Sequence, residues 1–501
     1  MAPVVNVTGG LARGTSRDGV DAFLGLPYAA PAVGADRYRL PQPVVPWEGE
    51  RDAGVHGPSA AQTAYPSPMD QFLPASVAPG DEYLNVSVWA PSEGGTDLPV
   101  MVWIHGGAFV RGANSVATYD GSAFARDGVV LVSVNYRLGA PGFAVLDGAP
   151  TNLGLRDQVA ALRWVRDNVA AFGGNPDDVT VFGESAGGMS VATLMASPAA
   201  GGLFHRAIVQ SGGGTAVCAL EDARRVGVEL AAILGVAATA EAFAALDPET
   251  VAAAQGALTL AVQADPDPAR WGSSVLRGGL GIMSLFPVVD GDVVPEVPAT
   301  RIAAGSAAGV PLLIGTTTEE MRLFMVPTGV AATISEPALP FLAARYGWPQ
   351  HAVETYVRNR PEASAGDVAA AILTDAGFRV PTAQLAAAQH GVGAPVHVYE
   401  FAWRTPLADL GACHALELPF VFDTLGAGAL MAGGAAPQPV ADAMHRAWVE
   451  FAKGGDPGWP SWAPDEPLVR TFGASPEEPS SDVSAVKVST WPRQDELALW
   501  G

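Results

Sequence analysis

Apolar residues fall into two alternating patterns along this chain. The short runs Pro99 to Ile104, Val129 to Asn135, Val179 to Phe182, Ala207 to Gln210, Val310 to Gly315 and Val396 to Phe401 are apolar without strict in-out alternation. Each therefore reads as a strand covered on both faces. Between the second and third runs, Val159, Leu162, Val165 and Val169 recur at helical spacing across Asp157 to Ala170, while Arg163, Arg166 and Asp167 fall elsewhere. That spacing predicts an amphipathic helix. Strands alternating with helices predict an α/β chain with a mostly parallel central sheet and helices on both faces.

Two Ala-rich regions interrupt the alternation. They predict helical insertions over about residues 221–300 and 336–389, forming a cap over one end of the sheet. Pro464 to Ser484 is acidic, Pro-rich and aperiodic, and is expected to be a surface loop. No internal repeat or domain-separating linker is visible. Length alone would allow about three domains. A single capped domain over residues 1–501 accounts better for the pattern.

Composition narrows the function. With 501 residues, 49% hydrophobic and 16% charged, the chain has enough apolar sequence for a large core. Its 51 acidic against 28 basic residues, a net charge of −23, would repel phosphate backbones and anionic lipid. No nucleic-acid or membrane partner is therefore expected. The only lysines are Lys453 and Lys487, and no G-x-x-x-x-G-K-[ST] loop occurs, which excludes Walker-type nucleotide hydrolysis and argues against a pyridoxal enzyme. Cys218 and Cys413 have neither C-x-x-C nor zinc-ligand spacing, so no metal site or disulfide framework is expected. The N-terminus shows no basic and apolar leader pattern, and no run reaches membrane-spanning length. A cytoplasmic protein, monomeric or weakly homo-oligomeric, is the expectation.

Candidate chemistry begins at Gly183-Glu184-Ser185-Ala186-Gly187, a G-x-S-x-G pattern. Alone it is weak in so glycine-rich a chain. Its context strengthens it: DDVTVF before it reads as a strand and GMSVATLMA after it as a helix, the setting of a strained turn that exposes a nucleophilic serine. Serine needs a base to take its proton and a carboxylate to orient that base. In the order serine, acid, histidine, the base is one of His205, His351, His390, His397, His414 and His445. His414 stands out, in GACHALELPFVF just past the last strong strand. His205 is too near Ser185, and His445 lies in a helical pattern. For the acid, Glu319 and Glu320 both follow the Val310 to Gly315 strand, and two adjacent side chains there cannot both reach one imidazole. Upstream, His105-Gly106-Gly107-Ala108 follows a strand and resembles the HGGG-type donor loop of esterases, with alanine in fourth place. The N–H groups of Gly107, Ala108 and Ala186 are the expected donors to an oxyanion.

These motifs, together with FLGLPYAAPAVGADRYRLPQP, YLNVSVWAP, SVNYRLGAPGF, LFHRAIVQSG, LIGTTTEEMRLF and AWVEFAKGGDPGWPSW, resemble the type B carboxylesterase family, specifically the bacterial group that includes para-nitrobenzyl esterases. The resemblance runs nearly the whole chain. It implies an α/β-hydrolase fold and a Ser-Glu-His triad in which Ser185 is the nucleophile, Glu320 the acid and His414 the base. It also implies that Ser211 supports the acid and histidine by hydrogen bonding, and Glu184, next to the nucleophile, is given a supporting place as well. Three departures stand out: Gly80-Asp81-Glu82 falls where relatives carry a disulfide cysteine, Met321 where glycine is common, and Cys413 directly before the histidine. Met321 is expected to narrow the pocket beside the acid, and Cys413 to be structural.

The expected reaction is cleavage of short- to medium-chain and aromatic carboxylic esters through an acyl-serine, without cofactor or metal. Phe109, Met189, Leu323 and Phe324 are the candidate pocket lining. Two other readings remain open: the same triad acting on amides, thioesters or carbamates, and a catalytically silent cholinesterase-like binding module.

Overall fold

The computed structural model describes residues 2–74, 77–346, 350–474, 488–490 and 494–500. An 11-stranded sheet forms its centre. In chain order its strands are β1 (Thr15–Arg17), β2 (Val20–Pro27), β3 (Asn85–Pro91), β4 (Leu98–Ile104), β5 (Val130–Val134), β6 (Gly174–Glu184), β7 (Arg206–Gln210), β8 (Leu312–Thr317), β9 (Val396–Phe401), β10 (Leu468–Phe472) and β11 (Val488–Thr490). They lie in the order β11-β10-β9-β8-β7-β6-β4-β5-β3-β2-β1. From β4 to β10 neighbours are parallel, while β3, β2, β1 and β11 add antiparallel edges. A separate 3-stranded sheet pairs Val4–Val7, Gly10–Arg13 and Glu50–Asp52. The six strands read from the sequence are all present.

The missing alternation in those strands has a direct cause. Side chains in β4 do alternate, Val100, Val102 and Ile104 to one face and Met101 and Trp103 to the other, but each face meets its own hydrophobic layer. On the second face Trp103 packs against Phe182 of β6 and Phe422, with ring centroids 4.8 and 5.0 Å away. The expected amphipathic helix spans Leu153–Asn168, with Val159, Leu162 and Val165 buried. Its Asp157 forms a fully buried ion pair with Arg137, Nη2 to Oδ1 2.6 Å. Arg137 also donates through Nη1 to the Arg37 carbonyl, tying the N-terminal segment to this helix.

Strand order decides where a ligand goes. The chain runs from β4 outward to β5, then returns across β4 to β6, so connections leave β4 and β6 in opposite directions. A crevice opens beyond the carboxyl ends of adjacent strands that diverge in this way. The two motifs with candidate chemistry sit there, after Ile104 and after Glu184.

Between β7 and β8 the chain leaves the sheet for helices that include Leu220–Leu234, Pro248–Ala264 and Ser273–Gly279. Between β8 and β9 it forms Leu339–Tyr346, Gln350–Arg358, Ala365–Thr374, the π-helical turn Asp375–Arg379 and Val380–Gly391. One sequence expectation is corrected: the loop expected over Pro464 to Ser484 contains β10, paired in parallel with β9 from Val398↔Val469 to Phe401↔Phe472. Residues 475–484 of that segment lie outside the described residues. No described helix is long and apolar enough to cross a membrane.

Candidate active site

Ser185 stands between β6 and the helix Ala186–Ala196 with φ 56° and ψ −123°, a conformation that costs a non-glycine residue energy and persists only where its surroundings enforce it. Those surroundings are visible. The Ser185 N–H donates to the Gln210 carbonyl at the end of β7, and the helix starts with Met189 N–H donating to the Ser185 carbonyl. Small neighbours are obligatory, because a Cβ on Gly187 would lie 1.9 Å from the Ile104 carbonyl oxygen. Ser185 itself is partly exposed while its chain neighbours are buried, so the turn lifts one side chain out of the packed sheet edge.

At the end of β4 the chain turns through Gly107 (φ 111°), Ala108 (φ 55°) and Phe109 (φ 61°). A Cβ on Gly107 would meet the Arg111 carbonyl oxygen at 2.2 Å. Gly107 and Ala108 are partly exposed, and among the described residues no hydrogen bond engages their N–H groups or that of Ala186. Ala186 opens its helix, where N–H groups have no intrahelical acceptor and the dipole favours negative charge.

Glu320 and His414 arrive from the loop after β8 and the loop after β9. The His414 Nδ1–H donates to Glu320 Oε2 at 2.6 Å. Glu320 Oε1 accepts from Ser211 Oγ (2.7 Å) and from Thr317 N–H (2.8 Å), so both carboxylate oxygens are used and the group is fixed. With its proton held at Nδ1, the imidazole keeps a lone pair on Nε2. Rings of Phe324 and Phe378 flank it, 5.2 and 5.0 Å between centroids. Glu319 turns away: its Oε2 accepts from Ala412 N–H (2.9 Å) and pairs with Arg404. Among the described residues Ser185 Oγ makes no hydrogen bond, and Nε2 instead stands 3.1 Å from Glu184 Oε1. Loose contacts of this kind are common in a site without substrate.

Glu184 is buried, and burial followed by the nearby Glu320 pushes its carboxyl well above the usual range. Glu417 behaves alike: burial, then Glu184 and Glu320, raise it, while its Oε1 accepts from Gln210 Nε2 at 3.2 Å. A carboxyl that holds its proton more tightly folded than unfolded lowers stability as pH rises from the ordinary carboxyl range toward its folded value. Glu417→Gln removes this contribution. Its urea midpoint relative to the parent is expected to rise between pH 5 and pH 8; a constant difference would show that Glu417 ionises freely.

Ser185, Glu184, His414, Gly107 and Ala108 all border one cavity of about 640 Å³. Of the expected lining residues, Met189, Leu323 and Phe324 are there. Phe109 is not: the positive φ at Ala108 and Phe109 turns its ring into the core, 4.8 Å from Phe143. Met321 is buried away from the cavity too, so it does not narrow it. Sequence reading missed Phe378, the Thr63 to Pro74 segment, and Gln255 and Thr259 of the helix Pro248–Ala264, all of which contribute wall. A run of Tyr, Pro, Met and Phe in residues 65–74 without periodicity was the available signal. Cys218 and Cys413 are free and buried, and burial raises both thiols, Cys218 to about 12. Among the described residues no group of three or more His, Cys, Asp or Glu side chains is arranged to hold a metal.

The family model described as Carboxylesterase family matches residues 1–476. A para-nitrobenzyl esterase of Bacillus subtilis (strain 168) is 37% identical over 481 residues, covering 92% of each chain. A phenmedipham hydrolase of Pseudarthrobacter oxydans is 34% identical over 521 aligned positions, covering 96% of this chain and 97% of that one. The crystal structure of a Geobacillus stearothermophilus carboxylesterase superposes with a TM-score of 0.84 at 34% identity, covering 99% of this chain and 100% of the other. The sheet with its flanking helices is thus an α/β-hydrolase fold. The chain belongs to the carboxylesterase family, and it is a carboxylesterase, a serine hydrolase of carboxylic esters.

Proposed function

We propose that Ser185, Glu320 and His414 form the catalytic triad and that the substrates are short- to medium-chain and aromatic carboxylic esters. The observation that carries this reading is the fixed Glu320–His414 pair, whose imidazole borders the same apolar cavity as a strained, partly exposed Ser185. His414 Nε2 takes the proton of Ser185 Oγ as the oxygen attacks the ester carbonyl carbon. The carbonyl π pair moves onto oxygen, where the N–H groups of Gly107, Ala108 and Ala186 receive it. Collapse breaks the carbon–alkoxy bond, the proton on Nε2 passes to the departing alcohol, and an acyl-serine remains. Water, deprotonated by the same imidazole, repeats the sequence and frees the acid.

The upward push on the Glu184 carboxyl, which favours its neutral form, fits this scheme, since a second carboxylate beside Nε2 would hold the imidazolium too tightly to return its proton. The helix Pro248–Ala264, with Phe378, caps the cavity and limits the length of chain it accepts. The name of the para-nitrobenzyl esterase relative supports activated aryl and benzyl esters as probes. A cytoplasmic setting is part of the same reading, consistent with two free thiols.

The test is a p-nitrophenyl ester series from acetate to laurate under pre-steady-state conditions. With an activated leaving group acylation outruns deacylation, so a burst of about one p-nitrophenol per chain is expected. Turnover should be greatest on short and medium acyl chains. A linear trace with no burst and no covalent intermediate in rapid-quench mass spectra would count against the acyl-serine.

A further inference from the structure

The cavity wall carries one unusual charge. Among the described residues its titratable groups are Arg111, Tyr65, Tyr119, Glu184 and His414, with Arg111 the only Lys or Arg. The Arg111 guanidinium is half-buried and fixed: Nε donates to the Thr63 carbonyl (3.1 Å) and weakly to that of Ala64 (3.4 Å), Nη2 donates to Thr63 Oγ1 (3.0 Å), and the group lies 5.4 Å from the centre of the Tyr65 ring. None of these partners is charged. Among the described residues no carboxylate reaches ion-pair distance of Arg111, and its Nη1 donates to nothing, in a chain with 51 acidic residues. Of the buried arginines, Arg137, Arg322 and Arg379 have carboxylate partners, while Arg37 donates to the Leu246 carbonyl outside this cavity.

The rest of the wall does not cancel this charge. Burial raises the Tyr65 phenol to about 12 and pushes that of Tyr119 well above its usual value, and burial with the nearby Glu320 pushes the Glu184 carboxyl well above the usual range. Burial also lowers Arg111 from its usual value, the sign of a cation short of solvent and counter-charge. Arg111 is anchored to the donor loop as well, since its backbone N–H donates to the Gly107 carbonyl at 2.9 Å. The guanidinium therefore keeps a fixed relation to the place where an ester carbonyl would be polarised.

We propose that Arg111 is an anion-recognition point in the substrate cavity, and that this esterase prefers half-esters, substrates that carry a second, free carboxylate. The proposal rests on the reading of Ser185 as nucleophile. Nη1 and the remaining Nη2 hydrogen offer a planar, two-pronged surface that matches a carboxylate. Around it, apolar wall such as Leu323 and Met189 covers the linker between the two ends of the substrate.

The experiment compares kcat/KM for two pairs in wild type, Arg111→Gln and Arg111→Lys. Monoethyl adipate against ethyl hexanoate puts the carboxylate on the acyl side. 4-Acetoxybenzoate against 4-methylphenyl acetate puts it on the alcohol side. In at least one pair the anionic-to-neutral ratio is expected to fall tenfold or more in Arg111→Gln, to recover in part in Arg111→Lys, and to fall with added salt in the wild type. A ratio in Arg111→Gln equal to that of the wild type in both pairs overturns the proposal, whether the individual rates hold or fall together as they would if Arg111 only tethers Thr63. Calorimetry with adipic acid monoamide separates the two readings. Binding that weakens in Arg111→Gln without turnover of any ester would sink the nucleophile assignment and leave the anion site standing. Ester turnover with no monoamide binding would do the reverse.

Discussion

Ser185→Ala is expected to lower kcat on p-nitrophenyl butyrate by roughly 10⁴- to 10⁶-fold, the loss seen when the nucleophile of such a unit is removed. The structure allows that loss to be read as chemistry. Both serine and alanine carry a Cβ and meet the same strain at φ 56°, and Ser185 Oγ makes no hydrogen bond among the described residues whose loss would loosen the turn. The thermal midpoint of the variant should therefore stay close to that of the parent. The wild type should also take up one organophosphate group, located by peptide mass spectrometry on Ser185, and the variant none. Residual activity comparable to wild type, or labelling elsewhere in the variant, would move the nucleophile off the turn after β6. The donor loop after β4 should survive intact in Ser185→Ala, so some rate above the uncatalysed reaction is expected to remain.

The elements that place this chemistry were legible in the sequence because they are the ones buried on both faces. β4, β6, β7, β8 and β9 carry largely apolar runs without in-out alternation for the reason that Trp103 and Phe182 face one layer while Val102 and Val181 face the other. Ser185 and His414 follow such runs, so their place at the sheet edge could be read from neighbours alone. β10 was hidden for the opposite reason. It is five residues long, set in an acidic stretch, and has Arg470 at its centre, whose guanidinium lies over Phe472 at 4.7 Å. Its pairing with β9 on one side and β11 on the other makes it a strand.

The cavity wall was less legible still. Phe109 follows the donor loop directly, and sequence spacing suggested a place beside substrate; two successive positive φ values turn it inward instead. Phe378 and Tyr65 lie far along the chain from Ser185 and reach the site only through the path of the connecting segments. Side chains that line a cavity from separate loops share no period, so no local pattern marks them. Arg111 could be seen in the motif HGGAFVRG, but its lack of a counter-charge is a property of three-dimensional neighbours.

The adjacent pair Glu319 and Glu320 gives the other large effect, because their position after the strand left both open, the family resemblance pointed to Glu320, and the geometry sets Glu320 rather than Glu319 against His414. In Glu320→Gln the amide has one acceptor where the carboxylate had two. Thr317 N–H can only donate, and it faces Oε1, so the amide oxygen is drawn to that side and its NH₂ toward His414. The imidazole must then present Nδ1 as an acceptor and carry its proton on Nε2, the nitrogen that has to receive the proton of Ser185. This tautomer cannot act as base, and kcat is expected to fall by roughly 10³- to 10⁴-fold with KM little changed. In Glu319→Gln the amide oxygen still accepts from Ala412 N–H, and what is lost is a charge partner for the exposed Arg404 and a 3.8 Å contact with Arg322. A surface pair of this kind is worth about 1 kcal/mol or less, so its kcat should stay within about threefold of wild type. The reverse ranking, a collapse in Glu319→Gln with Glu320→Gln active, would assign the imidazole's partner to Glu319 and require the loop from Thr318 to Met321 to turn over before the enzyme can work.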